Sequence, residues 1–248
     1  MPLPDSAFQH LPELRGRITE PEDSFFRDMD ARYREFDERA TAEGREGWRL
    51  THAVREATRR DALRGREGEA VWIFAYGSLI WDPAVMVDEM RRATLQDFRR
   101  SFCFMLDGGR GSPEQPGLMA ALDADPGHRC QGVVMRVPAE LAEDETRRLW
   151  MREMITGIYI PRWFQVATPQ GPVEAVTFLA DPEHHRYVGD MPRPERAGMI
   201  AHAEGVLGSN REYLQNLLER LEALSLSDPE MAELHEMVEA ARAATPGA

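Results

Sequence analysis

An acid on the apolar face of a helix is a place where proton-transfer chemistry can be built, and this chain has one at Glu153. The stretch from Pro138 to Ile155 carries helical periodicity, and Pro138 suits a first helical position. On a wheel turning about 100° per residue, Ala142, Thr146, Leu149 and Trp150 fall beside Glu153. Glu143, Asp144, Arg147, Arg148 and Met151 fall on the other side, where Glu143/Arg147 and Asp144/Arg148 read as i,i+4 ion pairs of a solvated face. Glu153 has no such partner, because Leu149, Trp150, Thr156 and Gly157 occupy its neighbouring positions. Burial without a partner disfavours the charged carboxylate and raises its pKa. Such a group is a candidate general base or acid. The competing reading is a frayed helix end from which Glu153 reaches water or a distant arginine, and the periodicity leaves both open.

A second candidate is the run Val71-Trp72-Ile73-Phe74-Ala75-Tyr76-Gly77-Ser78-Leu79-Ile80-Trp81. Its first half reads as a buried strand and its break at Gly77-Ser78 as a tight turn. A glycine there lets bare backbone approach a ligand. Ser78 is not in a nucleophile elbow, since Leu79-Ile80 follows it, so serine hydrolysis is not indicated. Asp107-Gly108-Gly109-Arg110-Gly111-Ser112-Pro113 is a glycine-rich loop, but Pro113 and Pro116 exclude the helix that a phosphate cradle needs. A loop over a substrate pocket and a plain connection both fit it. Cys103, between Phe102 and Phe104, reads as a core cysteine. Asp181, Glu183, His184 and His185 lack the usual zinc spacing and read as a solvated loop. Tyr159 and Tyr213 both fit core positions, the latter with its hydroxyl at the surface.

Composition narrows the classes. A formal charge of -13 argues against nucleic acid as a partner. All 30 basic residues are arginine, so Schiff-base and P-loop lysine chemistry are excluded. The longest apolar run is too short for a bilayer. The start Met1-Pro2-Leu3-Pro4-Asp5 does not read as a secretory signal. Two cysteines, Cys103 and Cys130, make no disulfide framework, and a reducing cytoplasmic location is expected.

The elements that must position these residues fall in three stretches. Residues 1–68 read as a polar helical extension, with Phe25, Phe26, Met29, Tyr33 and Phe36 forming an amphipathic stripe for packing. Arg64 to Glu69 reads as a weak linker, and residues 69–248 as the main domain. Strands are expected at 70–76, 98–106, 118–122, 130–137, 162–168 and 173–180. Ser209-Asn210-Arg211-Glu212 reads as a capping box opening a helix with Tyr213, Leu217, Leu221 and Leu224 on one face. Asp228-Pro229 opens a last helix. The expected class is α+β, with a mixed, barrel-like sheet flanked by helices.

The blocks Val71–Pro83, Phe98–Cys103, Gly109–Ser112 with Pro116-Gly117, Gly132–Arg136, Leu149–Gly157, Tyr159–Trp163 and Gly208–Leu214 together resemble the ChaC-like gamma-glutamylcyclotransferases, in order, over roughly residues 70–225. Two positions depart from the pattern: Ala75 stands where glycine is common, and Ser112 where threonine is common. The resemblance implies a gamma-glutamylcyclotransferase-like fold and a lyase that converts glutathione to 5-oxoproline and cysteinylglycine without metal or cofactor. It implies Glu153 as the catalytic acid-base and a substrate-binding turn at Tyr76, Gly77, Ser78 and Leu79. It further implies substrate contacts from Arg110 and Gly111, and from Tyr159 and Tyr213 toward the glutamyl group. Two alternatives stand beside it: a ligand-sensing regulator of cation transport without catalysis, and a cyclotransferase for other γ-glutamyl peptides.

Overall fold

Val71–Ala75 is a strand because β-branched and aromatic residues suit a pleated, fully buried surface. Ile73, Phe74 and Ala75 are all but inaccessible to solvent in the computed structural model of the chain. The structure describes residues 2–42, 44 and 47–244; the portions of the expected 1–68 and 69–248 segments at 1, 43, 45, 46 and 245–248 lie outside the described residues. The helices and strands are α1 (Met29–Ala42), α2 (His52–Ala62), β1 (Val71–Ala75), β2 (Glu89–Leu106), β3 (Gly117–Val137), α3 (Ala142–Glu153), β4 (Tyr159–Val166), β5 (Val173–Ala180), α4 (Arg193–His202), β6 (Glu204–Gly205), β7 (Gly208–Ser209), α5 (Asn210–Ala223) and α6 (Pro229–Ala243). The main sheet has the order β2-β3-β1-β5-β4. The α+β class is as expected, with the sheet open rather than closed into a barrel. Among the described residues no helix is long and apolar enough to cross a membrane.

The chain divides into two compact units. The first comprises Met1–Ala93 and Val133–Phe178. Here β1 runs antiparallel to β3, from Val71 opposite Val137 to Ala75 opposite Val133. It also runs parallel to β5, with Ile73 opposite Val176. The Thr177 hydroxyl donates to the Phe74 carbonyl at 3.1 Å. Trp150 of α3 meets Phe178 edge-on, with ring centres 5.1 Å apart. The N-terminal segment packs on α3 as well: Met29, Tyr33 and Met151 form a buried cluster with Phe26, Phe36 and Ile155 against it. The buried Arg59 of α2 joins Glu143 at 2.7 Å and the Thr146 hydroxyl at 3.0 Å. The expected aromatic stripe is divided, since α1 begins only at Met29 and leaves Phe25 and Phe26 ahead of it.

The second unit comprises Thr94–Gly132 and Leu179–Ala248. The two strands expected at 118–122 and 130–137 are one strand, β3, which passes through Asp125-Pro126-Gly127 without ending. Pro126 and Gly127 are exposed and Asp125 half-buried, and the Gly127 N–H donates to Asp97 Oδ1 at 2.9 Å. Proline and glycine are tolerated where a strand runs beyond its buried part. The helix starts read from capping residues are present: the Ser209 hydroxyl accepts from Glu212 N–H at 3.1 Å, and Asp228 accepts from Met231 N–H at 3.2 Å. Tyr213, Leu217, Leu221 and Leu224 are buried, as the periodicity requires. Asn210, fully buried, bonds both the N–H and the carbonyl of Leu118, at 2.6 and 2.7 Å.

Candidate active site

The first unit brings together the end of β1 and the end of α3. After Ala75 the chain passes Tyr76 and Gly77 and closes one 3-10 turn, Ser78–Ile80. The Ile80 N–H donates to the Gly77 carbonyl at 2.9 Å, which shapes the turn. Ser78 and Leu79 stand at the start of that turn, where backbone N–H groups have no carbonyl of the same helix to bond. The Tyr76 hydroxyl is committed elsewhere: it donates to the Phe178 carbonyl at 2.7 Å and fixes the tyrosine against β5. Tyr76 and Leu79 are both buried.

Helix α3 is shorter than the expected 138–155 span. A 3-10 turn, Ala139–Leu141, precedes it, and it ends at Glu153. Glu153 is therefore the last helical residue, not a mid-helix one. It does not fray into water; its side chain is 13 % exposed. The wheel placed Ala142, Thr146, Leu149 and Trp150 correctly on the buried face. It placed Met151 on the solvated side, whereas Met151 is buried under the N-terminal segment. Of the two expected ion pairs, Arg147 joins Glu143 at 2.9 Å. Arg148 instead lies 3.8 Å from Glu145 and donates to the Arg27 carbonyl.

Glu153 also has a partner that the helical spacing did not reveal. Arg152 Nε lies 3.1 Å from Glu153 Oε1. The same guanidinium donates through Nη2 to the Ser78 hydroxyl at 2.9 Å and through Nη1 to the Asp82 carbonyl. Its Nη1 is 3.8 Å from Asp82 Oδ1, a buried oxygen with no hydrogen-bond partner among the described residues. The Phe26 ring lies against its face, 4.2 Å from Cζ. Arg152 is thus the piece that joins the turn after β1 to the carboxylate that ends α3. An arginine can reach backward around a helix end from position i−1, so i,i+4 arithmetic does not detect it.

One cation here faces two carboxylates, Glu153 and Asp82. Burial pushes the pKa of Glu153 up from its ordinary value; Arg152 opposes this and Asp82 adds to it. Its place at the C-terminus of α3 acts in the same direction as burial, because the helix dipole is negative there. The result is a carboxyl group that holds its proton more firmly than a surface glutamate, beside a hydroxyl and a turn whose first N–H groups have no partner within their own helix. That arrangement suits general acid-base catalysis.

The remaining expected residues divide between the units. Tyr159, the first residue of β4, is buried in the first unit with its ring 6.4 Å from Phe178. Arg110, Gly111 and Tyr213 belong to the second. There Arg110 lies 5.7 Å from the centre of the Tyr213 ring and donates to the Ser209 carbonyl at 3.2 Å. Gly111 has a packing reason for its identity: a Cβ there would lie 2.1 Å from the Gly117 nitrogen. Sequence reading missed Arg152 and Asp82; the only local signal was their adjacency to Glu153 and Trp81.

The sequence pattern that defines the ChaC-like protein family matches residues 71–241. The glutathione-specific gamma-glutamylcyclotransferase of Escherichia coli is 44% identical over 174 residues, covering 70% of this chain and 74% of that protein. The zebrafish glutathione-specific gamma-glutamylcyclotransferase 1 is 31% identical over 176 residues, covering 69% of this chain and 89% of its own. Among solved structures, the yeast gamma-glutamyl cyclotransferase specific to glutathione superposes with a TM-score of 0.66 at 23% identity, over 72% of this chain and all of that one. With the end of α3 and the turn after β1 both inside the matched region, the chain belongs to the ChaC-like family.

Proposed function

We propose that this protein is a glutathione-specific gamma-glutamylcyclotransferase, a lyase that converts glutathione to 5-oxoproline and cysteinylglycine. The observation that carries the reading is Glu153, a largely buried carboxyl with raised proton affinity, joined through one guanidinium to the Ser78 turn. The relatives named for this activity support the choice of substrate.

The chemistry follows from one acid. Glu153, ionised, takes a proton from the α-ammonium of the γ-glutamyl group. The freed nitrogen attacks the γ-carbonyl carbon and forms the C–N bond of a five-membered lactam. The C–N bond to the cysteinyl nitrogen then breaks, and Glu153 returns the proton to that nitrogen. One substrate gives two products and no water is consumed. A carboxylate of raised pKa is a better base for an ammonium than an ordinary one, and its acid form still gives up the proton. Holding the glutamyl chain folded removes much of the entropic barrier to ring closure. The N–H groups of Gly77, Ser78 and Leu79 are assigned to the substrate α-carboxylate or the developing oxyanion. The Tyr76 hydroxyl, already bonded to Phe178, serves the turn. From the family resemblance, Arg110 is assigned to the glycyl carboxylate, Gly111 to substrate binding, and Tyr159 and Tyr213 to the glutamyl group. A cytoplasmic location accords with the two free, buried cysteines, Cys103 and Cys130.

The test is 5-oxoproline release from glutathione. Glu153→Gln keeps shape and hydrogen bonding but cannot take the proton, and its turnover falls by roughly 10²–10⁴-fold. For the native enzyme, turnover falls as pH drops through the raised pKa of Glu153, because the base becomes protonated. A Glu153→Gln variant that turns over at the native rate would sink the assignment.

A further inference from the structure

Helix α3 ends at Glu153, so its last carbonyls have no N–H of their own helix to bond. The Trp150 carbonyl is met by Met154 N–H at 2.9 Å. The next, Met151, is met from outside: the Tyr33 hydroxyl of α1 donates to it. Two residues beyond Glu153, the Ile155 carbonyl accepts from Leu50 N–H at 2.8 Å. The N-terminal segment therefore grips the backbone on both sides of Glu153. It also grips the other half of the site, where Thr19 N–H donates to the Trp81 carbonyl at 2.6 Å, one residue before Asp82. Between these grips lies Phe26, its ring 4.2 Å from Arg152 Cζ. A ring on the face of a guanidinium leaves the edge N–H groups free, and here those edges hold Ser78, Asp82 and Glu153. The ring also helps to keep this arginine side chain at 4 % exposure. Thr19, Phe26, Tyr33 and Leu50 all precede residue 71, where the family match begins.

We propose that the segment ahead of β1 is a working part of the active site, in which Phe26 and Arg152 are positioning residues that fix Glu153 against the Ser78 turn and shield it from water. This rests on the assignment of Glu153 as the base. The charged groups around Glu153 are Arg152 on its own helix and Asp82 from the segment after the turn. From the N-terminal segment Tyr33 bonds the Met151 carbonyl, two residues before Glu153, and is kept protonated because burial pushes its pKa up to about 12. Arg49 and Arg55 are occupied over the Tyr33 ring, at 4.4 and 4.5 Å.

The two positioning residues act on Glu153 in opposite directions. Phe26 withholds water, and its loss lets the carboxylate ionise more easily. Arg152 supplies the compensating charge, and its loss makes ionisation harder. The experiment is the pH profile of kcat for glutathione in the full-length chain. In Phe26→Ala, kcat falls by about 10- to 100-fold with KM nearly unchanged, and the acid limb moves to lower pH. Phe26→Leu restores the cover and recovers most of the rate. In Arg152→Met, kcat also falls, but the acid limb moves to higher pH. Profiles that coincide with the native one in folded Phe26→Ala and Arg152→Met overturn the proposal while Glu153→Gln remains inactive. An active Glu153→Gln would instead remove the base itself. If Phe26→Ala does not fold, the limb of Arg152→Met decides: a shift upward supports the proposal and an unmoved limb overturns it.

Discussion

The two ends of α3 each carry a glutamate largely withdrawn from water, and the two are treated in opposite ways. Glu145, in the first turn, is 4 % exposed and accepts two bonds from Arg27, at 2.5 and 2.9 Å, and a third from Met86 N–H at 2.9 Å. It lies at the positive end of the helix dipole. Glu153, in the last turn, shares one guanidinium with Asp82 and Ser78 and lies at the negative end. The residue type and the helix are the same. Glu145 has both its oxygens held by donors, whereas Glu153 shares its one cation with Asp82 and so is able to move a proton. The fold spends its arginines unequally along one helix, and the site lies where it spends fewer.

The sharpest way to break this comparison is to remove the charge at each end. Glu153→Gln cuts turnover by the roughly 10²–10⁴-fold set out above and leaves the fold. Glu145→Gln does the reverse. It leaves the half-buried Arg27 with no full counter-charge, and unfolding free energy falls by about 1.5–3 kcal/mol. Urea denaturation followed by fluorescence measures the loss, and turnover per folded molecule changes far less than in Glu153→Gln. Equal stability of Glu145→Gln and the native chain would show that the first-turn pair is not the structural anchor claimed for it.

How much of this was legible in advance follows from how far each signal reaches. The strand Val71–Ala75, the helix starts at Ser209 and Asp228, and the inward position of Glu153 are local patterns, each written within a few residues, and each is present. The burial of Met151 is not local. A wheel separates an apolar face from a polar one but does not say that a second element, here the segment carrying Met29 and Tyr33, covers the flank. Arg152 carries no local signal because its partners, Ser78 and Asp82, are 74 and 70 residues away in the chain. The strands expected at 118–122 and 130–137 are separated by Asp125-Pro126-Gly127, residue types that disfavour a strand locally, while the strand runs on through them. The order of the sheet is a matter of long-range pairing, and no periodicity carries it.

A smaller effect sharpens the comparison through stability. A carboxyl whose folded pKa is raised stabilises the fold at pH below its unfolded value, and that stability is lost as pH rises through the folded value. Burial raises the pKa of Glu153, so at neutral pH and above the native enzyme carries a cost that glutamine does not. Glu153→Gln is expected to melt higher than the native chain at pH 8, with the gap closing toward pH 5. Melting curves of both proteins at the two pH values measure it. A gap that does not change with pH would mean that Glu153 titrates like a surface residue.

The smallest effect belongs to the exposed flank of the same helix. Arg147 and Glu143 form an i,i+4 pair with side chains 46% and 67% exposed. Water screens such a pair, and holding two long side chains in register costs entropy, so its net worth is about 0–1 kcal/mol. Glu143 also keeps the buried Arg59 when Arg147 is gone, so no charge is stranded. Arg147→Ala is therefore expected to shift the urea midpoint barely, and to leave both turnover and its pH profile unchanged. A loss as large as that of Glu145→Gln would mean that count of charges, rather than burial and compensation, sets what each position on α3 does.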